Sequence, residues 1–146
     1  MKNVAPYLPV LLVVGVLAVT VAVSRARRRR ERATLAAQWA WLLREQEARR
    51  SAGARLLQVA SVYQRARRGS KAQVRWCDSG RLQDAWFEGR HVPPGAFMLV
   101  TGQVGWGPHN RIRDVLYVGP AQVHGWVPAS APTAWQREQS AGRSPA

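Results

Sequence analysis

The chain has a single cysteine and few histidines, which limits the metal and redox chemistry available to it. Cys77 alone excludes an internal disulfide and a cysteine-based metal site, and it suits a reducing compartment such as the cytoplasm. His91, His109 and His124 show neither HxxxH nor HxH spacing, the short spacings that pairs of metal ligands adopt. We therefore expect no metal site and no cofactor.

Catalytic motifs are also missing. Ser79, Ser130 and Cys77 lie in neither a nucleophile elbow nor a Cys-His signature. Asp78 and Asp84 fit turn capping and a hairpin edge better than acid-base chemistry. No glycine-rich phosphate loop precedes a helix. The sequence predicts a non-enzymatic protein without catalytic residues.

Acidic residues are scarce, and the excess of positive charge is unevenly distributed. The chain has 22 Lys and Arg against 8 Asp and Glu, a formal net charge of +14. Residues 25–68 contain 13 arginines and three glutamates, whereas residues 69–146 carry a net charge of only +3. The basicity therefore belongs to the first of these segments, and it favours an anionic partner.

No charged residue falls within residues 4–24, an apolar stretch followed at once by arginines. Twenty-one helical residues extend roughly 30 Å, the thickness of a bilayer core, so we expect a transmembrane helix. The alternatives are a cleaved signal peptide, with a small-x-small site at residues 22–24, and a buried helix. The arginines that follow predict a single-pass protein of the plasma (inner) membrane, with its N-terminus outside and its C-terminal domain in the cytoplasm.

No proline occurs between residues 25 and 68, and good helix formers dominate there. We expect a helical, arginine-rich connector over 25–68, with helices at about 26–50 and 54–67 and a weak point at 51–53. Its first arginines are predicted to contact anionic lipid headgroups or phosphate. The alternatives are a solvated helix face and binding to nucleic acid. The predicted contact residues are Arg25, Arg27, Arg28, Arg29, Arg30 and Arg32.

From residue 71 to about 135, glycine, proline, valine and tryptophan become frequent, and helical periodicity disappears. We expect a hairpin over 72–87 that turns at 78–80, with Gly80 in the left-handed conformation. In that register Trp76 lies opposite Leu82. Short strands at 96–104, 114–118 and 125–127 would complete a small antiparallel barrel. Even-numbered residues are predicted to share its buried face: Val74, Trp76, Leu82 and Trp86.

Two segments of this module carry a resemblance to a known fold. Pro94-Gly95-Ala96-Phe97-Met98-Leu99-Val100 and Gly125-Trp126-Val127-Pro128-Ala129 resemble the second half of an SH3-like barrel, in which a GWxPA-type segment closes the barrel. The acidic, tyrosine-rich strand that forms the proline-peptide groove of that family is missing. The resemblance therefore implies the fold and not polyproline binding. The first hairpin is similar in rhythm to Tudor-type barrels.

The segment 105–113 is the expected partner-binding loop of the barrel. It places an aromatic ring, an amide and cations close together, a combination that suits acidic or aromatic groups on a protein partner. The alternative is that Trp106 caps the barrel core. The predicted partner-binding residues are Trp106, His109, Asn110, Arg111 and Arg113.

Together these patterns predict a membrane-anchored α+β protein. Its expected parts are a transmembrane helix at 4–24, the helical connector at 25–68, an SH3-like β-barrel domain at 71–135 and a disordered tail at 136–146, with Trp135 folded back on the barrel. The predicted function is a non-enzymatic interaction or scaffold protein. The alternatives are a membrane-tethered nucleic-acid-binding protein, in which Trp76 or Trp86 stacks on bases, and a small membrane-active phage or plasmid protein.

Overall fold

The computed structural model describes residues 8–105 and 114–143. One long helix, α1 (Leu8–Ala48), begins the described chain. It is followed by a short 3-10 turn, Arg50–Ala52, and by Gly53, which has a φ of 77°. This left-handed conformation is readily adopted only by glycine, and it reverses the chain into the sheet. At the weak point predicted for residues 51–53, the chain therefore reverses its direction.

A curled, mixed sheet of seven strands and a second helix form the rest of the described chain. Its order is β5-β6-β3-β2-β1-β4-β7. All neighbouring strands are antiparallel except β3 and β6, which are parallel. The elements are β1 (Arg55–Ala66), β2 (Gly69–Trp76), β3 (Leu82–Glu88), β4 (Phe97–Val100), β5 (Gln103–Val104), β6 (Leu116–Val118), β7 (Val123–Val127) and α2 (Ala131–Gly142).

Two apolar clusters cover opposite faces of this sheet. The inner cluster fills the concave side of the curled sheet and includes Leu57, Val74 and Phe87. The outer cluster joins the C-terminal part of α1 to β1, β4, β7 and α2 through Trp39, Leu42 and other side chains. Because each cluster removes a continuous apolar surface from water, helix and sheet are held together as one unit.

The prediction of a transmembrane helix at residues 4–24 is wrong. The part of the chain that the structure describes contains no helix that is long and apolar enough to cross a membrane. The same finding overturns the predicted single-pass location in the plasma membrane.

The prediction of a closed antiparallel SH3-like barrel is also wrong, because the sheet is a mixed half-barrel in which β3 and β6 are parallel. The two segments that carried the resemblance do pair with each other, as Phe97 with Val127. The second connector helix, expected at 54–67, is instead strand β1. Leu56 faces the outer cluster and Leu57 the inner one, so both faces are buried and the alternation of a strand is lost from the sequence.

The predicted hairpin exists, but its register differs by one residue. Arg75 pairs with Leu82, where the sequence predicted Trp76 opposite Leu82. A slip of one residue moves every side chain of a strand to the other face. Consequently Phe87 is fully buried in the inner cluster, and Leu82 is 44% exposed. The predicted left-handed Gly80 is confirmed, with a φ of 69°.

The C-terminal end of the chain follows the sequence prediction in part. The strands expected at 114–118 and 125–127 are confirmed as β6 and β7. Trp135 packs against the outer cluster, as predicted. The tail, however, is helical in α2 as far as Gly142, which corrects the expected disorder from residue 136.

Candidate functional site

The five predicted partner-binding residues, Trp106, His109, Asn110, Arg111 and Arg113, lie outside the described residues. The two ends of their segment are described. Gly105 follows β5, and its N–H donates to the carbonyl of Val115, just before β6, at 3.3 Å. Because β5 is the last strand on its side of the described sheet, Gly105 lies at an edge of that sheet.

A hydrogen-bonded cluster of aromatic residues lies next to this edge. The indole Nε1 of Trp86 and the hydroxyl of Tyr117 each donate to Oε2 of Glu88 at 2.8 Å. Trp86 and Tyr117 are paired across β3 and β6, so they lie on the same face of the sheet. Burial raises the pKa of Tyr117, and the hydrogen bond and negative charge of Glu88 raise it further. The hydroxyl of Tyr117 therefore keeps its proton at neutral pH and donates it in the hydrogen bond to Glu88.

Two open grooves flank the same edge, and both include Val104 of β5. The smaller, about 350 Å³, contains two carboxylates and one cation. The larger, about 610 Å³, runs along Tyr117 and the 3-10 turn Pro120–Gln122. Their mixed polar and apolar walls suit binding of a protein surface. The smaller groove is lined by Arg81, Leu82, Gln83, Asp84, Val104, Asp114 and Val115.

The predicted arginine cluster lies on a part of α1 whose side chains are exposed. All side chains from Leu12 to Thr34 are exposed, and we call this segment the arm. The described residues form three ion pairs, Arg49–Glu45, Arg50–Glu47 and Arg55–Asp78, and none of them involves the arm. Two helical turns place these cations around the whole circumference of the helix. The predicted contact residues are thus available to an anionic partner.

One ion pair could not be found from sequence reasoning. Arg55 donates to both carboxylate oxygens of Asp78, and its guanidinium lies 3.9 Å above the ring of Trp76. Burial raises the pKa of Asp78, but hydrogen bonds and charge from Arg55 and hydrogen bonds from Ser79 lower it below its ordinary value overall. The two partners are 23 positions apart, and no local pattern indicates such a contact.

The thiol of Cys77 has a raised pKa, and the described histidines each lie close to a hydroxyl group. Burial and the charge of Asp78 raise the pKa of the Cys77 thiol to about 11, so the thiolate is rare at neutral pH and the thiol is a weak nucleophile. Ser70 Oγ and His91 Nδ1 are 3.3 Å apart, and Thr101 Oγ1 and His124 Nε2 are 3.0 Å apart. Residues 8–105 and 114–143 contain no group of three potential metal ligands.

The two tryptophans on which the nucleic-acid alternative depends are both buried. Trp76 is 2% exposed and Trp86 is 6% exposed. Trp76 Nε1 donates to Gln83 Oε1 at 2.7 Å, which fixes the ring in the inner cluster. A ring that stacks on a base must present one face to solvent. Neither tryptophan does so.

Comparison of the chain with protein-family models, with curated proteins and with solved structures yields no match.

Proposed function

We propose that this chain is a non-enzymatic scaffold protein, in which the arm binds an anionic surface and the β5–β6 edge holds a protein partner. The observation that carries the proposal is the division of α1 into two parts. Side chains between Leu35 and Leu43 pack in the outer cluster, whereas every side chain of the arm is exposed. The proposed binding segment is thereby continuous with a helix that packs on the folded domain.

The exposed surface of the arm supports its role in binding. Large apolar side chains from Leu12 to Val23 are between 41% and 65% exposed, and they continue directly into the arginines. An exposed apolar patch next to unpaired cations is typical of an interaction site. Each arginine near an anionic lipid surface contributes about 1 kcal/mol to binding. Six arginines are therefore sufficient for stable binding to such a surface, and this binding does not require a membrane-spanning helix.

The partner site at the β5–β6 edge is supported by what the helices leave uncovered. Helices α1 and α2 cover the outer face over β1, β4 and β7. The outer face over β2, β3 and β6 carries polar and aromatic side chains such as Lys71, Gln73 and Tyr117. The two grooves adjoin Gly105 and Asp114. The residues between these two positions are our proposed contacts for an acidic or aromatic partner surface.

A vesicle-recruitment experiment tests both halves of this proposal. Full-length protein is mixed with vesicles of phosphatidylcholine, alone or with phosphatidylglycerol, and floated with and without cell extract. We expect salt-sensitive binding to the anionic vesicles only, because surface charges are screened by salt. Changing the six arm arginines to glutamine should abolish it. The variant Trp106→Ala/Arg111→Gln/Arg113→Gln should bind the vesicles normally and lose one specific recruited protein.

Two results would contradict the scaffold function. Binding to single-stranded nucleic acid with no binding to anionic vesicles would favour the nucleic-acid alternative. Recruitment of the same proteins by the wild type and the loop variant would remove the partner site from the β5–β6 edge.

A further inference from the structure

A second group of cations lies at the tip of the β1–β2 hairpin and has no assigned role. Arg65, Arg67 and Arg68 are exposed, and Lys71 and Arg90 are half-buried beside them. We call these five residues the hairpin cluster. Within the described chain, no member of the cluster forms an ion pair.

Backbone contacts hold the two parts of the hairpin cluster together. The N–H of Gly89 donates to the carbonyl of Arg68 at 2.7 Å, and the buried Ser70 hydroxyl donates to the carbonyl of Arg90 at 3.0 Å. Gly89 therefore ties the end of β3 to the hairpin turn. The preceding residue, Glu88, accepts hydrogen bonds from Trp86 and Tyr117. The folded sheet thus concentrates positive charge at one end.

The direction of α1 relative to β1 can be taken from the contacts in the outer cluster. The rings of Trp39 and Phe97 pack edge to face with centroids 5.0 Å apart, and Phe97 pairs with Gln58. Trp41 lies so close to Gly125 that a side-chain carbon there would be 2.7 Å from its ring. Gly125 pairs with Leu99, and Leu99 pairs with Leu56, so helix and strand run in opposite directions.

This antiparallel arrangement places the hairpin cluster and the arm arginines at the same end of the molecule. Measured from Trp39 along the helix, Arg32 is about 10 Å away and Arg25 about 21 Å away. The strand reaches the level of Trp39 at Gln58, because Phe97 packs against Trp39 and pairs with Gln58. Ser70 pairs with Arg65, and Arg75 pairs with Gln58. Five residues of β2 separate Ser70 from Arg75, so Arg65 lies about 17 Å from Gln58 along the strands. The hairpin cluster therefore lies level with the arm arginines.

We propose that the hairpin cluster and the arm arginines form one cationic surface that binds the anionic headgroups of a lipid surface. The inference rests on the proposed function of the arm and adds a second contact to it. Two cationic groups at one level fit a planar array of negative charges. The exposed apolar residues of the arm adjoin that level, and a lipid surface also accepts apolar side chains at the boundary between its headgroups and its acyl layer. Nucleic acid offers phosphates but no such apolar layer.

The hairpin variant Arg65→Gln/Arg67→Gln/Arg68→Gln tests this surface in the full-length protein. Its matched control, Arg44→Gln/Arg50→Gln/Arg81→Gln, removes the same charge from exposed positions on the other side of Trp39 and Gln58. Partitioning onto phosphatidylcholine–phosphatidylglycerol vesicles is measured by flotation, and folding is checked by circular dichroism. We expect the hairpin variant to bind roughly 100-fold more weakly. The control should stay within about twofold of the wild type, since charges beyond a Debye length are screened.

Each other outcome overturns the inference in a distinguishable way. If the hairpin variant binds like the wild type, the hairpin makes no contact, although the arm still binds. If the variant and the control lose the same affinity, net charge and not position determines binding. If the wild type itself does not bind vesicles, the proposed function of the arm fails as well. Loss of single-stranded DNA binding with unchanged vesicle binding would assign the hairpin cluster to nucleic acid.

Discussion

Replacing Leu42 by alanine is expected to lower the free energy of unfolding by about 2–5 kcal/mol. Leu42 is fully buried in the outer cluster, between α1 and the sheet. Removing its side chain leaves a cavity, and the surrounding groups lose both dispersion contacts and burial from water. The same change also loosens the joint between helix and sheet. Urea denaturation followed by tryptophan fluorescence measures the effect.

The matched control is Leu17→Ala on the same helix, where the leucine is 59% exposed. Alanine has a slightly higher helix propensity than leucine, and little surface is buried at that position. We expect a change within about 0.5 kcal/mol. Equal losses for the two variants would show that α1 is not docked through Leu42.

Replacing Gly69 by alanine is expected to destabilise the protein by about 3 kcal/mol or more, through two additive causes. Gly69 has a φ of 153°, a conformation that other residues rarely adopt. A Cβ atom there would also overlap the carbonyl of Phe87 and lie 3.1 Å from the ring of Trp86. Because the obstacle is backbone in a paired strand, it can move aside only by breaking the β2–β3 ladder. Thermal and urea unfolding both measure the loss.

Gly80→Ala separates the two causes. Gly80 has a φ of 69°, and an added Cβ atom meets nothing within 4 Å. Its variant carries only the cost of the left-handed conformation, about 1 kcal/mol. If Gly69→Ala costs no more than Gly80→Ala, the close approach of β2 and β3 at Gly69 is not rigid.

Local signals in the sequence were sufficient for the parts of the fold that local forces determine. The helix over residues 26–48 follows from helix formers without proline, and the left-handed Gly80 follows from turn chemistry. Strand β1 was missed because burial on both faces removes alternation. Its arginines and alanine are also common in helices. Tertiary packing decides between the two structures there.

The hairpin register was missed for a different reason. Both registers bury Trp76 of β2, and the choice depends on whether Phe87 or Leu82 of β3 faces the core. The parallel pairing of β3 with β6 favours Phe87, because Phe87 is paired with Val118 of the inner cluster. That contact joins residues 31 positions apart. No pattern within the hairpin itself indicates it.

The candidate site was accessible to sequence reasoning only in part. The arm arginines stand out as a run of like charges, whereas the hairpin cluster joins residues 65–71 to Arg90 through the fold. The direction of β1 relative to α1 turns these two groups into one surface. This direction depends on the contacts of Trp39 and Trp41, and neither residue suggests such a role in the sequence.

The central claim is that the arm is held in a fixed direction by its junction with the sheet, so that both cationic groups face the same partner. Spin labels at Arg29→Cys and Arg67→Cys in a Cys77→Ser background measure it directly by double electron–electron resonance. The account predicts a single narrow distance distribution in the otherwise unchanged protein, which broadens when Leu42→Ala is added. A broad distribution without that substitution would contradict the claim.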